Sequence, residues 1–210
     1  MENRTGEYSV AMRDIIEEAV NVLNKGGVLI YPTETCYGIG CDATDVKAVE
    51  KIYSFKKRDR NKRLTCIVDS LETAENYCKL TDLERYVCEK FMPGPLTIVS
   101  EKKDTLPDIV NKDFAFRISS EKICRQLSKK LGKPIVATSA NISGKKSAYS
   151  IDQISEELEE KVDFVIDSGK LEMKKPSTII SLQTGTLEVF RQGPINEDSI
   201  SREVEGFKDG

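Results

Sequence analysis

The chain has 210 residues, with 32 Lys and Arg against 35 Asp and Glu and a formal net charge of −3. That length suits one domain with a sizeable core, and 39% hydrophobic with 32% charged residues is a globular rather than a disordered mixture. The charge excludes a polycation, and the absence of His excludes Ser-His or Cys-His chemistry and a His base near neutral pH.

From Ser9 to Lys25, Ile16, Ala19, Val20 and Leu23 recur on one helix face, and Gly26-Gly27 is the stop. Val28 to Tyr31 reads as a buried strand that Pro32 ends. It opens into a loop rich in hydroxyls and glycines, with Thr33, Thr35, Tyr37, Gly38 and Gly40. Open α/β sheets place ligands at such strand ends. Val46 to Phe55 is helical. Lys56 to Arg63 is then a loop in which six of eight residues are basic. In a net acidic chain this run concentrates positive charge beside the core, as an anion site would.

Leu64 to Val68 is a strand, and Leu71 to Tyr77 a short helix. Thr81-x-x-Glu84 is a capping box opening a helix through about Met92, which Pro93-Gly94-Pro95 stops. Leu96 to Ser100 and Phe114 to Ile118 are strands joined by a polar connection, and the second carries Arg117. An Arg in a strand faces solvent or pairs with an anion in a cleft. Lys122 to Leu131 is a helix ended by Gly132. Pro134 to Thr138 is a buried strand running into Ser139-Ala140-Asn141-Ile142-Ser143-Gly144-Lys145-Lys146-Ser147, a second loop of hydroxyls, an amide, a glycine and lysines. Ser150-x-x-Gln153 caps a helix ending near Glu160. Phe164 to Asp167, Thr178 to Leu182 and Leu187 to Phe190 are strands, the last two joined by a turn at Thr184-Gly185. Residues after Asn196 form a charged tail with weak helical pattern.

This order predicts a mixed α/β sheet, partly antiparallel, with helices packed against it. Neither a G-x-G-x-x-G fingerprint nor a Walker A sequence is present. Six Cys without a Cys-x-x-Cys spacing do not suggest zinc, so no protein-held metal is expected. Met1 to Asp14 is polar, which predicts no secretory signal, no membrane span, and reduced cysteines in a cytoplasmic protein. Three loops carry ligand chemistry. One offers hydroxyls and tight backbone, one offers cations, and one offers Ser139, Asn141, Ser143 and Ser147 as small donors. Arg117, Arg191 and Ser177 add to them. ATP with an amino acid suits such a set, and the residues by themselves leave the reaction open.

Six pieces occur in order: Pro32-Thr33-Glu34-Thr35-x-Tyr37-Gly38-Ile39-Gly40, Lys56-x-Arg58, Pro93-Gly94-Pro95-Leu96-Thr97, Ser139-Ala140-Asn141-x-Ser143-Gly144, Ser177-Thr178 and Arg191-x-Gly193. Together, from about Met12 to Ile195, they resemble the YrdC-like family of threonylcarbamoyl-AMP synthases, in its short, single-domain form. The resemblance implies a twisted mixed β-sheet flanked by helices with a concave, positively charged cleft. It places the YrdC-like domain at 10–200, with flexible termini at 1–9 and 201–210. It implies a nucleotidyltransferase that joins L-threonine, bicarbonate and ATP, with Mg²⁺, into threonylcarbamoyl-adenylate and pyrophosphate. The product would feed the threonylcarbamoyl modification of the tRNA adenosine beside the anticodon, through a threonylcarbamoyl-transferase complex. Lys56 and Arg58 would be catalytic. Lys56, Arg58 and Arg60 would hold the ATP phosphates, with Ser139, Asn141, Ser147 and Arg191 on the nucleotide. Thr33, Arg117 and Ser177 would surround L-threonine, Arg117 taking its carboxylate.

Two departures stand out. Arg63 replaces a Pro usual in the family, and a His that many members carry near Ile67 is missing. The alternative is an RNA-binding module of the same fold, binding tRNA without adenylation. The basic run has no interleaved aromatics, which disfavours base stacking.

Overall fold

The computed structural model describes residues 3–208. Among these, the elements in chain order are α1 (Asn3–Asn24), β1 (Leu29–Pro32), β2 (Tyr37–Gly40), α2 (Val46–Phe55), β3 (Thr65–Val68), α3 (Leu71–Glu75), β4 (Cys78–Lys79), α4 (Asp82–Phe91), β5 (Leu96–Lys102), β6 (Phe114–Ile118), α5 (Lys122–Leu131), β7 (Ile135–Ser139), α6 (Glu156–Glu159), β8 (Phe164–Val165), β9 (Thr178–Ser181), β10 (Glu188–Arg191) and α7 (Glu197–Lys208). The strands form one twisted mixed sheet in the order β10-β9-β5-β6-β3-β7-β2-β1-β8, with β4 pairing β5. Three of its pairings are parallel: β3 with β6, β5 with β9, and β1 with β8. No helix of the described residues is long and apolar enough to cross a membrane.

The period-2 alternation of the strands divides the core in two. Ile30, Cys66, Val68, Phe116 and Val136 point to one face, where α2, α3, α4 and α7 supply Val49, Ile52, Ala74, Val87 and Ile200. Leu29, Tyr31, Ile67 and Ile135 point to the other, against Ile16, Ala19 and Leu23 of α1 and Cys124, Leu127 and Leu131 of α5. These two helices cover only part of that second face. Its remainder, at Gly38, Thr65, Arg117, Ala137 and Ile179, floors a cleft.

Helix boundaries follow local chemistry. The Asp45 carboxylate accepts from the first amides of α2, Thr81 and Glu84 complete the expected capping box of α4, and Gly132 ends α5 at φ 70°. Four expectations are corrected. Tyr37 to Gly40, read as loop, is strand β2 in a hairpin with β1. Its glycines serve close approach, for a Cβ at Gly40 would lie 1.7 Å from the Val136 carbonyl oxygen. The single helix expected after Ser150 is a 3₁₀ turn at Ile151–Gln153 and a short α6, separated by extended Ile154; the Ser150 side chain caps nothing. The two-residue strand β4 was not expected at all. Last, the tail is α7: Ile200 and Val204 are buried in the first cluster, so 201–208 is packed helix rather than a flexible end. At the other end, α1 already includes residues 3–9, while residues 1, 2, 209 and 210 lie outside the described residues.

Candidate active site

The open part of the sheet forms a cleft of about 290 Å³. Four loops reach it. The hairpin turn from β1 to β2 contributes Thr33, Thr35 and Cys36. Thr33 Oγ1 donates to the Cys36 carbonyl at 2.7 Å and accepts from the amides of Thr35 and Cys36 at 3.2 Å. The hydroxyl thus closes the turn, as Ser and Thr do in tight loops. Between the two threonines, Glu34 accepts from Arg117 Nε at 2.7 Å and from the Ser119 hydroxyl. Both members of the ion pair are buried. Burial opposes the Arg117 charge, but the Glu34 carboxylate, together with Cys124 and Tyr31, outweighs that cost and the guanidinium pKa goes up. The bond to Glu34 uses only Nε; among the described residues no hydrogen bond engages the terminal nitrogens of Arg117.

The basic loop begins with a left-handed residue, Lys57 at φ 50°. The reversal sends its neighbours in different directions. Lys56 is buried, and its ammonium donates to the Ser139 carbonyl, the Asn141 carbonyl and, at 3.2 Å, Asn141 Oδ1. Burial lowers its pKa to about 7, with repulsion from Arg58 adding to the effect. Arg58 lines the cleft and is tied back to the Arg63 carbonyl at 2.6 Å. Arg63 also lines it, 5.0 Å over the Phe190 ring and 3.4 Å from Asp113. Arg60 does not. Its side chain is 68% exposed and lies over Tyr53, 4.0 Å from Glu50.

The loop after β7 brings Ser139 and Ser147 to the cleft. Asn141 sits behind them: its Oδ1 accepts from Ser139 Oγ and from Lys56, and its Nδ2 donates to the Lys145 carbonyl. The Ser143 amide donates to the Lys56 carbonyl at 2.9 Å, so the two loops are laced together by Lys56 at both ends. On the far wall, Arg191 Nε and Nη2 donate to the carbonyl and hydroxyl of Ser177 at 2.9 and 3.1 Å. Burial lowers the Arg191 pKa, and Arg117 nearby lowers it further, as two cations facing an anion site would.

Of the residues expected at the site, Thr33, Arg58, Arg117, Ser139, Ser147, Ser177 and Arg191 line one cleft. Lys56 and Asn141 stand directly behind it, and Arg60 is outside. The sequence does not pair Glu34 with Arg117, because no local pattern links positions 34 and 117. Nor does it point to Thr65 and Ile179 on the floor, or to Tyr149 and Lys174 on the walls. Ile67, near the place of the absent His, is fully buried against α5, whereas Thr65 on the same face reaches the cleft. Among the described residues no three or more His, Cys, Asp or Glu side chains gather as metal ligands would.

The family described as Sua5, yciO and yrdC, "Telomere recombination", matches residues 21–193. A Methanocaldococcus jannaschii protein, provisionally named threonylcarbamoyl-AMP synthase, is 41% identical over 191 residues, covering 90% of this chain and 91% of its own. The threonylcarbamoyl-AMP synthase of Pyrococcus abyssi is 30% identical over 93% of this chain, which spans 60% of that longer protein. The crystal structure of P. abyssi Sua5 complexed with L-threonine superposes with a TM-score of 0.84 at 31% identity, over 90% of this chain and 56% of that one. A match through the whole sheet, at such identity over nine-tenths of the chain, decides the kinship: the chain belongs to the Sua5/YciO/YrdC family.

Proposed function

We propose that this chain joins L-threonine, bicarbonate and ATP into threonylcarbamoyl-adenylate and pyrophosphate. In this reading it works in the cytoplasm and passes its product to a threonylcarbamoyl-transferase complex for the tRNA adenosine beside the anticodon. The observation that carries it is the cleft itself: Arg117 buried on Glu34, opposite Arg191, with the hydroxyls of Ser139, Ser147 and Ser177 around them. The kinship to a Sua5 that binds L-threonine supports the same reading.

Each residue then has a chemical task. The threonine carboxylate takes the terminal nitrogens of Arg117, which Glu34 leaves available. Bicarbonate takes up a proton and loses water to give CO2. The threonine amine adds the CO2 and gives up a proton to become a carbamate, and a carbamate oxygen then bonds to the α-phosphorus as the bond to pyrophosphate breaks. Two anions must approach, so cations at fixed positions lower the barrier. Arg58 and Arg63 line the cleft, and in this reading they meet the phosphates, Mg²⁺ arriving with ATP as part of the substrate. Lys56 supports this wall by holding the 139–141 turn, so that Ser139 and Ser147 face the nucleotide. Holding carbamate and phosphorus in line supplies much of the remaining acceleration. No His base is required.

The test is incubation with ATP, Mg²⁺ and bicarbonate, with and without L-threonine. The expected outcome is threonine- and bicarbonate-dependent pyrophosphate and a new adenylate. ATP binding without release, together with salt-sensitive RNA binding, would overturn this reading in favour of the RNA module. The synthase names of the relatives favour catalysis over that module.

A further inference from the structure

Thr97, on β5, is not in the cleft lining, yet it touches a residue that is. Its Oγ1 lies 2.9 Å from Ser177 Oγ, and both side chains are buried. Among the described residues this is the one hydrogen-bond partner of the Thr97 hydroxyl. The proton between the two oxygens has a determinable owner. If Ser177 donated, the Thr97 proton would be left without an acceptor inside the sheet, where an unmet donor is costly. Thr97 is therefore the donor. Arg191 Nη2 donates to the same Ser177 oxygen at 3.1 Å. A serine hydroxyl accepts two hydrogen bonds and donates one. Thr97 from outside the lining and Arg191 from within it fill both acceptor positions, so the remaining capacity is the Ser177 proton, and Ser177 lines the cleft.

We infer that Thr97 is a positioning residue which, with Arg191, commits the Ser177 hydroxyl to donate its proton into the cleft, to an oxygen of an anionic substrate. Resting on the synthase reading, that oxygen belongs to the carboxylate or carbamate of the amino acid rather than to ATP. Thr33 makes a useful contrast. Its proton is spent on the Cys36 carbonyl, so its hydroxyl has none to offer a substrate.

The test is calorimetric binding of L-threonine, together with the KM for threonine and for ATP. It compares wild type, Thr97→Val, Thr97→Ser, Ser177→Ala and the Thr97→Val/Ser177→Ala double variant. Thr97→Val should weaken threonine binding about tenfold, the scale of one hydrogen bond to a charged group. The KM for ATP should stay unchanged. Thr97→Ser should restore threonine affinity, and the double variant should bind no worse than Ser177→Ala. If Thr97→Val does not fold, Thr97→Ala, which adds no atom, takes its place with the same expectation. Equal loss of ATP and threonine affinity, or additive losses in the double variant, would overturn the role. So would wild-type threonine affinity in Thr97→Val. Wild-type protein that neither binds nor turns over threonine would remove the synthase reading and this role with it, a result distinct from failure of the variant alone.

Discussion

At position 56 a buried ammonium faces three carbonyl oxygens, and it ties two loops of the site together. Lys56→Ala removes that clamp. Turnover, measured as pyrophosphate release, should fall ~10²-fold or more, the scale on which misplacing substrate-holding groups by about 1 Å slows a reaction. Near-normal turnover would sink the role. The neighbours divide by position. Arg58 lines the cleft, whereas Arg60 stands outside it. Arg58→Ala should raise the KM for ATP by roughly tenfold or more, as loss of a charge-assisted bond does. Arg60→Ala, which removes a screened surface charge, should change it only about threefold or less. Equal effects would mean that the loop rearranges on binding. Glu34→Ala leaves Arg117 buried without its carboxylate, which should cost about 3 kcal/mol or more of stability in urea unfolding. A loss below about 1 kcal/mol would show the pair to be solvated.

Among the elements, β2 and α7 show most clearly what packing adds to local pattern. Gly40 lets β2 lie against β7, since a methyl there would sit 1.7 Å from the Val136 carbonyl oxygen. Gly40→Ala should destabilise by about 3 kcal/mol or more, because the obstacle is ladder backbone that cannot swing aside. Helix α7 is held by Ile200, which is fully buried in the first core cluster. Ile200→Ala should cost about 2–5 kcal/mol in urea unfolding, the range for emptying a core site. A change near zero would mark the segment as the loose tail that its charged composition suggests.

For the molecule as a whole, the pH dependence of stability follows from its thiols. All six cysteines are free, and burial raises each above the ordinary 9.0, Cys78 and Cys124 to about 12. Above pH 9 the unfolded chain loses these protons while the native state keeps them, so the native state binds more protons. Stability contributed by the thiols is therefore full below about pH 9 and falls as pH rises toward 12. Lys56 acts in the opposite sense: burial lowers its pKa from 10.5 to about 7, so its contribution to stability rises with pH across that interval. One lysine stands against six thiols. The urea midpoint should hold or rise slightly from pH 7 to about 8.5 and then drop steeply. A midpoint unchanged through about pH 10.5 would contradict the burial of the cysteines.

Much of this was legible in the amino-acid sequence because it depends on neighbours in the chain. Helices α2 and α5 end where their caps and apolar spacing place them, Thr81 and Glu84 cap α4, and β6 spans the expected residues. Seven residues singled out for ligand chemistry share one cleft, since strand ends and their loops gather at the open part of a sheet face. What the chain could not disclose depends on distant partners. Tyr37 to Gly40 looks like loop until Val136 comes beside it, and α7 looks like solvent-facing tail until the core receives Ile200. Glu34 meets Arg117 across 83 residues, and Thr97 meets Ser177 across 80. Capping, turn and alternation signals act within a few residues, and so the sequence determined the elements and the chemical inventory of the site. Which proton, charge and strand face one another is set by sheet order and burial, and those only the tertiary structure decided.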